Sequence, residues 1–219
     1  MNYKQKVIDY LEGKLEYEAF QKMLDTDPGL TEWLQSIAPE GMTCNTVPDK
    51  EKNYETNEVP YDIHLVLKTV LYYSPKGSIG YKLDLQDYIK HLISAAFPDH
   101  QVVLDPKPRE VNRLMLDACP EYIGGKEVTD SGILERILAE TSEDWSKTKK
   151  IKYIRDRIKE EFHIEGKAHP NWIQGPEWPV YNGRPMKYVK TIVKSKYEWY
   201  EHHFIDPETG EERIVNDVD

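Results

Sequence analysis

Apolar residues recur at helical spacing through residues 1–38 and 61–168 and alternate with polar ones after Gly175. Near the N-terminus, Tyr3, Val7, Ile8 and Leu11 share one helical face, and Gly13 is placed to stop that helix. Phe20, Met23 and Leu24 mark a second short helix. Asp27-Pro28 opens a third, because Asp caps and Pro suits the first helical position. Leu30, Trp33, Leu34 and Ile37 then fall on its inner side. These helices form a small unit over 1–38 that must pack on something else to be stable.

Residues 39–60 are polar and broken by Pro39, Gly41, Pro48 and Pro60, which predicts a linker or loop. A helical bundle is expected over 61–168. Its first helix covers Tyr61–Tyr73. A turn at Ser74–Ser78 follows, then a helix capped by Asp84 and running to Phe97. Pro108 opens the next, Thr129 or Asp130 caps another, and the last runs from about Ser142 to Phe162.

The segment His169–Met186 holds Trp172, Trp178 and four prolines. Proline fixes its own φ and biases the preceding residue toward extended backbone, so the segment is stiff without being helical. It is expected to lock onto the helices through its indoles. Beyond it, Asn182-Gly183 signals a hairpin turn. Strands follow at Met186–Val193, Tyr197–Ile205 and Glu211–Asn216, with a strong turn at Asp206–Gly210. The fold class read from this order is α+β: helical N-terminal and middle regions, then an antiparallel β-meander over 169–219 packed on the helices.

Charge narrows the partner. The net charge of −10 concentrates in residues 1–60, which carry 6 Lys/Arg against 12 Asp/Glu. Glu12, Glu16, Glu18, Asp25 and Glu32 fall on the polar sides of the first three helices. Such a surface repels nucleic acid and anionic membrane and attracts a basic protein. The basic run Lys147 to Lys159 is the chain's strongest nucleic-acid signal. It lies on a helix whose other side is apolar, which is the pattern of a solvated face. No apolar stretch approaches the roughly 20 residues that span a bilayer. The N-terminus leads into an amphipathic pattern rather than an apolar signal core, and Cys44 and Cys119 frame no disulfide set. A cytoplasmic protein is expected.

The chemistry-bearing motifs are sparse. No G-x-S-x-G elbow occurs, and Lys76–Gly80 and Gly124-Gly125-Lys126 do not match a Walker loop. Glu160-Glu161-Phe162-His163 surrounds an imidazole with carboxylates, as the solvated end of a helix also does. His202-His203 lies in a predicted strand, so the rings point to opposite faces. The expectation is no cofactor, no metal and no identified catalytic residue. Tyr and Trp anchor interfaces, so Trp172, Trp178, Tyr197 and Trp199 join the acidic residues as expected partner contacts.

The C-terminal stretches Asn171-Trp172-Ile173-Gln174, Pro176-Glu177-Trp178-Pro179, Asn182–Met186 and Asp206–Gly210 resemble a tail of small bacterial proteins, some of them immunity proteins of polymorphic toxin systems. The resemblance implies a noncatalytic bacterial binding protein, an inhibitor or regulatory adaptor. The competing expectation is an enzyme with dispersed His, Glu and Arg residues in a cleft between the bundle and the meander.

Overall fold

The computed structural model describes residues 2–48, 55–195 and 199–218. It is α+β, with helices through the N-terminal and middle regions and a three-stranded antiparallel sheet at the C-terminal end. The chain divides into two compact units, Met1–Arg109 and Glu110–Asp219.

The first unit holds helices α1 (Tyr3–Leu11), α2 (Tyr17–Thr26), α3 (Pro28–Ser36), α4 (Ile63–Tyr73) and α5 (Ile79–Ala96), with a small hairpin of β1 (Thr43–Asn45) and β2 (Glu58–Pro60). Asp27 caps α3 through a bond from Gly29 N at 3.0 Å, and Pro28 is its first residue. The Asp27 carboxylate also accepts the Tyr3 hydroxyl at 3.1 Å, which ties α1 to the start of α3. Tyr10 stacks on Phe20 with ring centroids 4.0 Å apart. Val7, Leu11, Phe20, Leu30 and Leu34 share one buried cluster with Ile63, Val70, Leu85 and Leu92. The three N-terminal helices therefore find their support on α4 and α5, and they do not stand apart from them.

Two local expectations give way here. The segment 39–60 is not linker throughout, because Cys44 pairs with Val59 in the β1–β2 hairpin. Helix α5 begins at Ile79, capped by Ser78 through Tyr81 N at 3.2 Å, and Asp84 lies inside it. The turn hydroxyl wins because it sits directly before the apolar stripe of Ile79, Tyr81 and Leu85.

The boundary between units falls within α6 (Lys107–Ala118), so the expected bundle over 61–168 is divided between them. The second unit continues with α7 (Gly125–Asp130), α8 (Ile133–Ala139) and α9 (Lys147–Glu161). Thr129 and Asp130 end α7 instead of capping α8; Gly132, at φ 74°, makes that entry. A short hairpin pairs β3 (Val180–Tyr181) with β4 (Arg184–Pro185). Asn182 and Gly183 both take positive φ in its turn, as the dipeptide predicts. The sheet is β5 (Lys187–Ser195), β6 (Trp199–Ile205) and β7 (Glu212–Val218), in that order and antiparallel. Trp178 joins helix to sheet: it is buried, edge-on to Phe162 at 5.5 Å and to Phe204 at 5.2 Å, and its indole donates to Met186 O at 2.8 Å. The Trp/Pro segment thus packs through Trp178 against the end of α9.

Candidate functional site

Trp172 and Trp178 stiffen one wall of a groove in the second unit. Between them Gln174, Gly175, Pro176 and Glu177 run along β7. One stretch of the groove, about 250 Å³, is lined by Trp172, Gln174–Glu177 and Val215–Asp217. The next, about 510 Å³, is lined by Glu127, Glu177–Val180 and Arg213–Asn216. A third, about 390 Å³, lies between Lys126–Glu127, Asp130–Ser131 and Trp178, Val180 and Gly183. Glu127 belongs to both of the last two. Burial first, opposed by its own backbone bond and Lys126 and reinforced by Asp130 and Glu177, leaves its carboxyl pKa above the ordinary value. Asp130 is also raised, chiefly by burial. The groove therefore gathers carboxylates that lack their full share of water.

Asp217 holds the groove's shape. Its carboxylate accepts the main-chain N–H of Ile173 at 2.5 Å and of Gln174 at 3.2 Å, and faces His202 Nε2 at 3.4 Å. His202 is fully buried; its Nδ1 lies 2.8 Å from Thr191 Oγ1, which lies 2.8 Å from the Tyr188 hydroxyl. Trp172 sets its ring edge-on to His202 at 4.4 Å and donates its indole N–H to Tyr122 O at 2.9 Å. The chain Tyr188–Thr191–His202–Asp217 fastens all three strands to the Trp/Pro segment. His203 faces the other side of the sheet, 3.6 Å from Glu201, as strand alternation requires.

The residues singled out by sequence fall in both units, and within the second unit they do not share one face. Glu12 is partly buried and paired with Lys14 at 2.6 Å. Glu18 pairs with Lys82 at 3.3 Å, and Asp25 with Lys76 at 2.6 Å. Glu16 and Glu32 are exposed. The acidic face of the first unit is thus partly neutralised by its own lysines. Trp178 is core. Trp172 is half-buried on the groove. Trp199 is exposed on the opposite sheet face, where its indole donates to Asn216 Oδ1 at 3.3 Å. Tyr197 lies outside the described residues. Sequence reasoning missed Glu127, Val215, Asn216 and Asp217; only the alternation of 211–216 hinted at where they meet.

The other chemical candidates are engaged in structure. In the basic run, Lys147 pairs with Asp117 at 2.8 Å and Lys152 with Asp156 at 2.6 Å. Lys149 sits over the Trp145 ring at 3.8 Å. Arg155 donates to Ala118 O and Asp117 O, and Arg157 binds Glu140, Glu160 and Glu161. Burial, with the Glu127 charge adding to it, pushes the Cys119 thiol up to about 12, so it carries little thiolate at neutral pH. Among the described residues no group of three or more His, Cys, Asp or Glu side chains converges as a metal site. No described helix is long and apolar enough to cross a membrane. Set against protein-family models, curated proteins and solved structures, the chain finds no match.

Proposed function

We propose that this is a noncatalytic protein-binding protein, of the immunity-inhibitor or adaptor kind, and that its partner docks in the groove between β7 and the Trp172–Val180 segment. The observation that carries the reading is the groove itself. Its wall is made rigid by prolines and anchored indoles, and its lining is mixed polar and apolar. A preformed surface loses little conformational freedom when a partner seats on it. The acidic residues at its rim favour a basic partner, which keeps the charge argument and moves it from the N-terminal helices to the second unit. A cytoplasmic, bacterial setting belongs to the same proposal and rests on the cysteine usage and the resemblance of the C-terminal tail.

An enzymatic reading has one specific carrier, the order hydroxyl–imidazole–carboxylate in Thr191–His202–Asp217. That order matches nucleophilic triads. Here the groove meets the carboxylate end of the relay, at Asp217, whose oxygens already accept two main-chain N–H groups. This favours a structural fastening.

Capture from lysate of the cells that make the protein tests the binding reading, with the wild type and the doubly substituted Glu127→Lys/Glu177→Lys chain as paired baits. Glu177 is exposed and Glu127 half-buried, so a thermal melt of each bait checks that it is folded before capture is compared. A protein retained by the wild type and lost from the double variant supports the groove. Equal retention by both contradicts it.

A further inference from the structure

The β7 strand carries an open edge along this groove, and its direction follows from the turn before it. Gly210, at φ 73°, donates to Asp206 O at 2.9 Å, and Asp206 N donates to Glu211 O at 2.8 Å. This is the bulged turn in which a left-handed Gly and its successor share one partner residue. From there antiparallel alternation runs through the register Ile205↔Glu212, Phe204↔Arg213 and His203↔Ile214. Arg213, Val215 and Asp217 therefore bond to β6. Glu212, Ile214, Asn216 and Val218 turn their main-chain N–H and C=O away from it. Gln174 checks the direction: its side-chain amide donates to Val218 O from the groove side. Among the described residues, no hydrogen bond reaches the main chain of Ile214 or Asn216 on that side.

An unpaired strand edge is a template for another strand, and proteins that do not use such edges cover or charge them. Here the edge opens into a groove of about 510 Å³ instead of being covered. Across that groove stand Glu127 and Glu177, close enough for the Glu177 charge to act on Glu127; Arg213, exposed on β7 itself, is the cation in this lining, so carboxylates outnumber cations two to one. We infer that an extended, basic segment of the partner protein adds as a further strand to the Ile214–Asn216 edge of β7, with its Lys or Arg side chains facing Glu127 and Glu177. Main-chain bonds to the edge supply affinity and the carboxylates supply selection, which is the division of labour in strand-addition recognition. A second copy of this chain fits less well. It would bring a strand holding Glu212 and Asp217 against the single Arg213, from a molecule of net charge −10, to a groove whose carboxylates also outnumber its cations.

The inference rests on the binding reading above, and its test is separable from that one. The probe is a short end-capped peptide alternating Lys and Val, titrated into the full-length chain and followed by amide NMR shifts and hydrogen exchange. Two control peptides replace Lys by Glu, or carry N-methyl groups on every second residue so that one edge cannot pair. The expected result is saturable binding with shifts and slowed exchange at the Ile214 and Asn216 amides. Both controls should bind about tenfold more weakly or worse, the loss expected for one to two net hydrogen bonds or a charge pair. Ile214→Pro removes an outward N–H without touching the β6 ladder, so it should abolish binding while leaving the melt close to wild type. The N-methylated peptide makes the same point should that variant misfold. Equal binding of the N-methylated peptide, shifts confined to Glu16, Glu18 and Glu32, or edge amides already protected in a dimer would each overturn strand addition. So would no binding of the Lys/Val peptide. If bait capture still depends on Glu127 and Glu177 in those cases, the groove reading survives without the strand.

Discussion

Trp178 has no solvent to gain from and four neighbours to lose. Its ring touches Phe162 and Phe204 edge-on, leans on Tyr188 and donates to Met186 O. Trp178→Ala should lower stability by about 3–5 kcal/mol, read as the shift in a urea midpoint, because both contacts and a cavity are involved. The aromatic content of the segment made this side chain legible as an anchor. It did not separate Trp178 from Trp172, because which indole is sealed depends on the sheet that folds over it. His202 is the other residue with a measurable signature. Burial lowers its pKa from 6.5 although the Asp217 carboxylate beside it pulls the other way. Trp172, Thr191 and Tyr200 also lie against it, and none of these three is charged at neutral pH. The unfolded chain takes up this proton at higher pH than the folded one. The His202 contribution is therefore full above pH 6.5 and is lost as pH falls through the lowered folded value. Stability measured from pH 7.5 downward should fall through this window, and His202→Gln should flatten the fall. An unchanged slope in that variant would remove His202 as the cause.

Elements were legible where local chemistry and periodicity agree. Asp27-Pro28 starts α3 where the dipeptide says, and Asn182-Gly183 makes the β3–β4 turn. Gly183→Ala tests the turn: φ is +73° and the new Cβ would lie 3.2 Å from Ser131 O. A cost of about 1–2 kcal/mol is expected from the left-handed backbone, measured by denaturant midpoint. Elements were misread where two caps compete, as at Ser78 and Asp84, or where pairing is non-local. Thr43–Asn45 and Glu58–Pro60 are too short and too polar to announce themselves as strands, and only their mutual register creates the hairpin. The groove was illegible for the same reason. Glu127, Glu177 and Asn216 come from α7, the Trp/Pro segment and β7, and no sequence window holds them together. The alternation of Glu211–Asn216 showed a strand, but not that it ends the sheet.

At the scale of the molecule, charge and surface part company. The sequence places most excess acid in residues 1–60, yet three of its five singled-out carboxylates already meet lysines of their own unit. The groove in the second unit has fewer carboxylates, but Glu127 and Asp130 are partly desolvated, and Glu127 stands across from unpaired backbone. Electrostatic recognition is strongest where water is already displaced, so location outweighs number. The claim that the second unit's groove is the binding surface is tested most directly by photo-crosslinking in the living source cell. A benzophenone amino acid replaces Ile214 in one version of the chain and Glu18 in another. A discrete crosslinked partner from position 214, absent from position 18 and lost when Glu127→Lys/Glu177→Lys is added, is the predicted result. The same partner crosslinked from position 18 and not from position 214 would contradict the account.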